Sequence, residues 1–201
     1  PLNFDVSDLP ATKTALQTLP SDVLNNLDVL VNNAGLALGL EPADKTDFAD
    51  WQQMVNTNIL GLIHLTHEIL PFMVANNDGY IINLSSTAGN YPYFGGNVYG
   101  ATKAFVTQFS LNLRADLVGK NIRVSNIEPG LCGGTEFSNI RFHGDDAKAA
   151  QVYNSVQYVT PQDIANMVAW LIEQPKHVNI NRIEVMPTAQ TFAGLKVVKD
   201  L

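Results

Sequence analysis

The sequence predicts an α/β protein with a doubly wound parallel sheet, and three observations lead to this fold class. Four short apolar segments rich in β-branched residues are spaced along the 201 residues, with longer segments of helical periodicity between them. None of the four alternates polar and apolar residues, which is typical of strands covered by helices on both faces. Hydrophobic residues make up 46% of the chain and charged residues 15%, which favours one domain with a large core and argues against disorder.

The predicted strands follow the apolar segments. They cover residues 27–31, 80–84, 122–127 and 180–185. A further strand-like segment opens the chain at residues 1–6, so the sequence reads as though it begins within a fold. The alternation of strands and helices predicts right-handed crossovers between parallel strands.

Three helices are predicted from caps and apolar periodicity. Ser7 or Asp8 can cap the first helix, over residues 11–19. The second covers residues 47–74 and the third covers residues 97–118, and each collects apolar side chains near one face. In the third helix these side chains are Val98, Ala101, Phe105, Phe109, Leu113 and Leu117.

The last helix has the clearest signals. Thr160 suits the N-cap and Pro161 the first turn, and the helix should end near Glu173 because Pro175 follows. The preceding stretch 130–146 is rich in glycine and polar residues. It is predicted to be an ordered or lid-like loop rather than a domain boundary.

The amino-acid composition limits the kinds of ligand that we expect this protein to bind. The net charge of -7 argues against nucleic acid, so a small molecule is the better default ligand. Cys132 is the only cysteine, which leaves neither a disulfide nor a cysteine-based metal cluster, and no metal is expected. A reducing cytoplasm suits this cysteine usage. No apolar run reaches the roughly 18 residues of a membrane span, and no basic-then-apolar leader opens the chain.

Ligands of such folds bind at the carboxyl ends of the strands. The first predicted strand is followed by Asn-Asn-Ala-Gly at 32–35, where small residues let a ligand approach the backbone and Asn can tie strand ends together. The second is followed by Ser-Ser-Thr-Ala-Gly at 85–89, whose hydroxyls can donate to a carbonyl. Both segments also suit ordinary turns.

Tyr99 and Lys103 are four residues apart in the third predicted helix and therefore share a face. A neighbouring ammonium favours the phenolate and can lower the tyrosine pKa, ordinarily near ~10, by about 1–3. The tuned phenol can then give or take an alcohol proton. Such pairs also occur on exposed helices without any function.

Two further segments are candidates. Asn58 lies in the second predicted helix, where an inward-facing amide needs a partner. The alternative is an Asn that faces solvent. Pro129 and the glycines that follow it give the third strand a sharp exit with bare backbone amides for a polar ligand, and the alternative is a plain structural loop.

Together these segments resemble the short-chain dehydrogenase/reductase family, whose fold is Rossmann-like, across nearly the whole chain. Residues 32–35 resemble its Asn-Asn-Ala-Gly signature, and Ser86 precedes Tyr99 by the thirteen residues of its Ser to Tyr-x-x-x-Lys spacing. Asn58 fits its fourth catalytic position, and Pro129 with the next glycine fits the loop that embraces the nicotinamide.

The resemblance implies a role for each matching residue. Tyr99 would be the proton donor or acceptor, Lys103 would bind the nicotinamide ribose and lower the Tyr99 pKa, and Ser86 would polarise the substrate carbonyl. Asn58 would hold a water that links Lys103 to solvent. The implied cofactor contacts are Asp5 and Val6 beside the adenine, then Asn33, Ala34, Gly35, Tyr99, Lys103, Pro129, Gly130, Leu131, Cys132 and Thr135.

Residues 33–39, 95–105 and 128–139 are similar to the bacterial 3-hydroxy acid dehydrogenases, or malonic semialdehyde reductases. This likeness implies NADP as cofactor, with NAD not excluded, and a small substrate such as serine, allo-threonine, 3-hydroxypropionate or malonic semialdehyde. The substrate carboxylate then needs a cation. Arg141 is the candidate because arginine can bind a carboxylate bidentately, although a surface arginine is an equally good interpretation.

The chain departs from the family in one respect. The Thr-Gly-x-x-x-Gly-x-Gly turn and the strand end that selects NADP over NAD are both missing. Without that turn the pyrophosphate has no helix N-terminus to bind. We therefore expect residues 1–201 to be a single domain that lacks its first strand–helix units and belongs to a longer protein. A protein that began at Pro1 would have very low activity.

Other functions stay open at this point. Within the same family, the chain could reduce a 3-ketoacyl thioester or a sugar ketone. Outside catalysis, it could be a relative that only binds a nucleotide, although such relatives usually lose the Tyr or the Lys that this chain keeps. The likeness also implies a homodimer or homotetramer built on the helices at 47–74 and 97–118.

Overall fold

A four-stranded parallel sheet forms the centre of the protein in the computed structural model, which describes residues 1–193. The strands lie side by side in chain order: β1 (Val29–Asn32), β2 (Gly79–Leu84), β3 (Ile122–Pro129) and β4 (Arg182–Val185). All three pairings are parallel, and the register sets Asn32 beside Asn83 and Asn83 beside Asn126. The four predicted strands and the parallel sheet are confirmed.

Helices connect the strands. They are α1 (Leu9–Gln17), α2 (Ser21–Asn25), α3 (Phe48–Val55), α4 (Leu62–Asn76), α5 (Asn97–Asp116), α6 (Phe137–Arg141), α7 (Asp146–Tyr153) and α8 (Pro161–Glu173). Asp8, rather than Ser7, caps α1 by accepting a hydrogen bond from the Ala11 backbone N–H. The predicted α8 is confirmed, and a capping box between Thr160 and Asp163 fixes its first turn.

The sheet separates two apolar layers. On one face Leu30, Ile81 and Val124 pack with the buried side chains of α4 and of the end of α5. On the other face Tyr80 and Ile82 pack with the apolar side of α8. Helices on both faces are what the prediction of a doubly wound sheet required, because alternate residues of a strand point to opposite sides.

Three expectations about the strands and loops are wrong. Residues 1–6 form no strand, because a hydrogen bond from the Asp8 N–H to the Asp5 carbonyl turns the backbone into α1. At the two outer strands the cover is incomplete: Val31 of β1 is 38% exposed, and β4 alternates exposed with half-buried residues. The predicted loop over 130–146 contains the short helix α6 and the start of α7.

The predicted helix over 47–74 is one continuous helix in which a π-helical segment, Asn56–Gly61, joins α3 to α4. By length and composition alone, Phe48–Asn76 could cross a membrane. A core helix of a soluble protein passes the same test, so this single helix is weak support for a membrane span. Ile69 and Met73 of this helix are buried against the sheet.

Candidate active site

A cavity of about 680 Å³ opens at the carboxyl ends of the strands, the edge at which the sequence predicted a ligand. Eleven of the predicted site residues line it: Asn33, Gly35, Ser86, Tyr99, Lys103, Pro129, Gly130, Leu131, Cys132, Thr135 and Arg141. The structure therefore brings together side chains that are up to about a hundred residues apart in the sequence.

Four predicted residues do not line this cavity: Asp5, Val6, Ala34 and Asn58. The Asp5 carboxylate accepts hydrogen bonds from the Ser7 N–H and hydroxyl, and these bonds lower the pKa of Asp5. Asp5 is therefore held as a turn residue before α1, and its adenine contact stays a prediction.

Tyr99 and Lys103 lie on the buried face of α5. This face is largely polar, since Thr102, Thr107 and Ser110 are also buried on it. The predicted apolar face is therefore wrong in its first half: Ala101 and Phe105 are exposed, whereas Leu113 and Leu117 are buried. The polar residues turn inward because the strand ends offer hydrogen-bond partners, as Asn83 does to Ser110 at 2.8 Å.

Ser86 brings the end of β2 to the phenol. Its hydroxyl donates to the Pro129 carbonyl at 3.2 Å and accepts from the Ala88 N–H at 3.1 Å, which fixes its direction. Ser86 lies close enough to the Tyr99 phenol to favour its ionised form, which lowers the pKa of Tyr99. The serine and tyrosine that the sequence paired by spacing thus line the same cavity.

The pKa of Tyr99 moves in the opposite direction from the prediction. Burial raises the pKa of Tyr99 to about 12, because the phenolate would lose its hydration. The hydrogen bond from Ser86 and the positive charge of Arg141 lower it, but they do not outweigh burial. The predicted lowering of the Tyr99 pKa is therefore wrong for the protein alone, and at neutral pH the phenol keeps its proton.

Lys103 is a buried ammonium that is 6% exposed. Its Nζ donates to the Leu84 carbonyl at 2.9 Å and lies 5.9 Å from the centre of the Tyr99 ring. No carboxylate within residues 1–193 lies within 4 Å of it. Burial lowers the pKa of Lys103 to about 8, and two N–H donors remain for a ligand.

Asn58 links the segment after β1 to α5. Its amide donates to the Leu36 carbonyl at 2.8 Å and to the Thr102 hydroxyl at 3.0 Å, and its oxygen accepts from the Leu36 N–H at 2.9 Å. The partner that the sequence analysis required for an inward-facing amide is therefore found, and Asn58 is 1% exposed. Its predicted water stays a prediction. Asn32 likewise ties strand ends together, through a 2.8 Å bond to Asn83.

The segment after β3 forms the opposite wall of the cavity. The Leu131 N–H donates to the Gln190 side-chain oxygen at 2.7 Å, and a Cβ on Gly130 would lie only 2.3 Å from that oxygen. Cys132 forms a parallel bridge with Val159, and burial raises the pKa of its thiol. Gln190 was missed by the sequence analysis, since nothing in its neighbourhood signals a contact 59 residues away.

Arg141 enters the cavity from α6. Its Nε donates to the Gly39 carbonyl at 3.2 Å, its Nη2 donates to the Tyr93 hydroxyl at 2.7 Å, and its guanidinium carbon lies 5.6 Å from the centre of the Tyr99 ring. The sequence analysis missed Tyr93. Its signal was the Tyr-Pro-Tyr run at 91–93, which lies between Ser86 and Tyr99.

An ion pair between a buried carboxylate and a partly exposed arginine lies next to the segment that carries Ser86, and it was also missed. The Glu128 carboxylate, at the end of β3, is fully buried and forms two hydrogen bonds with Arg182, at 2.8 and 2.7 Å. Asn90, which follows the Ser86 turn, donates to the same carboxylate at 2.7 Å. The pair therefore joins β3 and β4 to the segment that carries Ser86. The pKa of Arg182 is raised, first by its hydrogen bond to Glu128.

This arrangement can carry out proton transfer at an oxygen atom. A phenol that keeps its proton and a serine hydroxyl line the same cavity, and both can donate to a carbonyl oxygen once the serine proton turns from the Pro129 carbonyl to the ligand. An ammonium lies one helical turn along α5, and a guanidinium lies near the phenol. A small carbonyl or hydroxyl compound with a negative charge suits these groups.

Known proteins are similar to this chain along nearly its whole length. Residues 1–145 match the family model described as short chain dehydrogenase. The chain is 69% identical over 200 residues to a probable NADP-dependent dehydrogenase of Haemophilus influenzae, covering 100% of this chain and 79% of that protein. It is 56% identical to the NADP-dependent 3-hydroxy acid dehydrogenase YdfG of Escherichia coli K12, covering 96% and 78%. It is 52% identical to the serine 3-dehydrogenase of Rhizobium radiobacter, covering 98% and 78%.

Solved structures show the same similarity. A closed form of serine dehydrogenase complexed with NADP+ superposes with a TM-score of 0.95 at 55% identity, over 98% of this chain and 79% of that chain. A serine dehydrogenase from Escherichia coli superposes with a TM-score of 0.80 at 48% identity, over 94% of this chain and 76% of that chain. The sheet and the helices around it thus belong to a known architecture.

Proposed function

The chain belongs to the short chain dehydrogenase family, and from this membership we propose that it is an oxidoreductase that interconverts small 3-hydroxy acids and their semialdehydes with NADP(H). The relatives named as NADP-dependent 3-hydroxy acid dehydrogenase and serine 3-dehydrogenase support this choice. The observation that carries it is that one cavity is lined by the Ser86 hydroxyl, the Tyr99 phenol and the cationic side chains of Lys103 and Arg141. Candidate substrates are serine, allo-threonine and 3-hydroxypropionate or malonic semialdehyde.

The residues around Lys103 suit a nicotinamide cofactor. The buried ammonium has donors to spare for ribose hydroxyls, and Gly35 leaves open the space that a Cβ would fill 3.2 Å from its Nζ. We assign the remaining contacts along the chain. They are Asp5 and Val6 for the adenine, Asn33, Ala34 and Gly35 for the middle of the cofactor, and Pro129, Gly130, Leu131, Cys132 and Thr135 for the carboxamide and phosphates.

When bound, NADP(H) supplies or takes up the hydride. In the reducing direction Tyr99 gives its proton to the carbonyl oxygen, for which a protonated phenol at neutral pH is suited. Ser86 donates a hydrogen bond to the same oxygen and so favours the charge that develops there. In the oxidising direction the phenolate takes the proton from the alcohol. The charge of Lys103, one turn along α5, favours that phenolate.

Arg141 is the proposed ligand of the substrate carboxylate. Its backbone-anchored Nε holds the guanidinium beside the Tyr99 ring, so that an acid bound there would present its other end to the phenol. A guanidinium binds a carboxylate through two parallel hydrogen bonds, which a lysine cannot reproduce. If Arg141 binds the substrate carboxylate, a short hydroxy acid should bind in this site more tightly than a long neutral ketone.

Tyr99→Phe, made in the full-length protein, tests the proposal in an NADPH oxidation assay with malonic semialdehyde. We expect kcat to fall by about 10²–10⁴-fold, because the proton donor is lost, while the affinity for NADPH changes little. Tyr91→Phe is the matched control, since the Tyr91 hydroxyl donates to Glu184 and not to the reacting groups. Substantial activity in Tyr99→Phe would refute the assignment. Failure of the unaltered protein to reduce any carbonyl, with NADPH still bound, would favour a binding protein.

We also propose a homodimer or homotetramer in the cytoplasm, built on α3, α4 and α5. Support comes from apolar side chains exposed on these helices: Phe48 is 70% exposed, and the half-exposed Phe105 stacks on Phe109. Light scattering coupled to size-exclusion chromatography measures the state directly. A monomer at micromolar concentration would refute this part of the proposal.

A further inference from the structure

We infer that Tyr93 determines substrate specificity: its hydroxyl and the Arg141 guanidinium bind the carboxylate of the substrate together. This inference rests on the proposed function and adds a second ligand to the acid-binding end of the same site. Tyr93 lies in the segment between β2 and α5, lines the cavity and is half-buried.

Arg141 has no carboxylate partner among the described residues 1–193. Its backbone and side chain are both fixed to Gly39, since the Gly39 N–H donates to the Arg141 carbonyl at 2.8 Å and the Arg141 Nε donates to the Gly39 carbonyl. Within residues 1–193, no Asp or Glu oxygen lies within 4 Å of its guanidinium. Of its five N–H donors, one binds Gly39 and one binds Tyr93, so three stay available for an anion.

The Tyr93 hydroxyl is prepared for the same anion. Its oxygen accepts a 2.7 Å hydrogen bond from the Arg141 Nη2, and the partners described in the structure include no acceptor for its proton. A hydroxyl that receives a bond from a cation becomes a better donor, because the chain of hydrogen bonds is polarised. A free O–H therefore lies next to free N–H donors. A carboxylate, which has two acceptor oxygens, can accept from both.

Distance to the reacting group makes this pair a selector for short acids. The guanidinium carbon is 5.6 Å from the centre of the Tyr99 ring and 5.7 Å from the centre of the Tyr93 ring, so both phenols lie close to one cation. A carboxylate held by Tyr93 and Arg141 would leave room for only a short carbon chain before the oxygen that meets Tyr99 and Ser86. Tyr93 and Arg141 would therefore select substrates both by their carboxylate and by the length of their carbon chain.

Tyr93→Phe tests the inference, with Tyr91→Phe as the matched control because Tyr91 lines the same cavity but its hydroxyl donates to Glu184. Oxidation by NADP+ is compared for 3-hydroxypropionate and its uncharged amide. We expect Tyr93→Phe to lower the acid-to-amide ratio of kcat/KM by about tenfold or more, through KM, because a hydrogen bond to a charged group is lost. The kcat for the acid and the KM for NADP+ should stay near those of the unaltered protein.

Binding of malonate, measured by calorimetry, gives a readout that does not need turnover. Tyr93→Phe should weaken malonate binding by a similar factor, and Tyr91→Phe should not. An unchanged acid-to-amide ratio together with unchanged malonate affinity in Tyr93→Phe would overturn the inference. Malonate binding that depends on Tyr93 in a protein that oxidises no hydroxy acid would support the inference and refute the proposed reaction.

Discussion

Replacing Lys103 with methionine should stabilise the protein at pH 7 while it removes an ammonium from the active site. Lys103 is buried, and within residues 1–193 its side chain donates to the Leu84 carbonyl and to no carboxylate. Methionine has a similar length and no charge to desolvate. The variant therefore separates the contribution of Lys103 to activity from its effect on the stability of the fold.

The magnitude follows from the lysine's titration. A pKa lowered from 10.5 to about 8 corresponds to roughly 3 kcal/mol of unfavourable free energy for keeping the side chain charged in the folded state. The variant also loses the hydrogen bond to Leu84, which contributes about 1 kcal/mol. We therefore expect Lys103→Met to raise the free energy of unfolding by about 2 kcal/mol at pH 7.

The stability that Lys103→Met gains over the unaltered protein should decrease as the pH rises. Below about pH 8 the lysine is charged in both the folded and the unfolded chain, so the unaltered protein has the full penalty. Between about 8 and 10.5 only the unfolded chain keeps the proton, and the stability of the unaltered protein rises with pH. The difference between the two proteins should therefore shrink across this range.

Urea unfolding at about pH 7 and about pH 10 measures both effects, with Lys120→Met as the control because Lys120 is exposed. The control should change the free energy of unfolding by no more than ~0.5 kcal/mol at either pH. A Lys103→Met protein that is less stable than the parent at pH 7, or a difference that does not vary with pH, would refute the reasoning.

Other perturbations test the framework around the site and its proton transfer. Asn32→Ala removes a buried amide and leaves the side-chain oxygen of Asn83 without its donor, so urea unfolding should show a loss of about 2 kcal/mol in the free energy of unfolding. A loss below ~0.5 kcal/mol would contradict this. Arg182→Met leaves the Glu128 carboxylate buried without a cation and should cost about 2–3 kcal/mol, allowing for the partial exposure of the arginine. Adding Glu128→Gln should restore much of that loss, and equal instability of the double variant would argue against the ion pair. Because burial raises the pKa of Tyr99 to about 12, the rate of alcohol oxidation should rise from about pH 7 to about pH 10 whereas carbonyl reduction should not, and a flat oxidation profile would count against Tyr99 as the base.

The sequence pattern within single strands and helices was sufficient to predict the site residues that lie on or next to those elements. Ser86 follows a strand, and Tyr99 and Lys103 share a face of one helix, so strand ends and helical spacing placed all three near one another. The predicted start of α8 was also confirmed, because the residues next to a helix terminus determine where the helix begins.

Contacts between distant segments decided the rest. The Tyr99 pKa depends on burial by residues such as Phe137 and Arg141, which the sequence does not place around it. Gln190 reaches the cavity from a segment without a recognisable signal, and Tyr93 reaches it from a Tyr-Pro-Tyr run whose place in the cavity depends on the fold. The apolar pattern of α5 also misled, since a helix that packs on polar strand ends buries its polar face. Hydrophobicity alone cannot reveal such a case.

The π-helical segment at Asn56–Gly61 has a consequence for how this protein can diverge. A π turn holds one residue more than an α turn, so it corresponds to a single insertion into an otherwise regular helix. Deleting one residue there would restore a regular helix and keep the flanking turns on nearly their present faces, because the wide turn already absorbs the extra residue. The residues of the turn itself would shift, and Asn58 would lose its position between Leu36 and Thr102. The extra residue therefore serves Asn58 rather than the packing of α4, and lineages of this fold should lose the π turn only together with this asparagine.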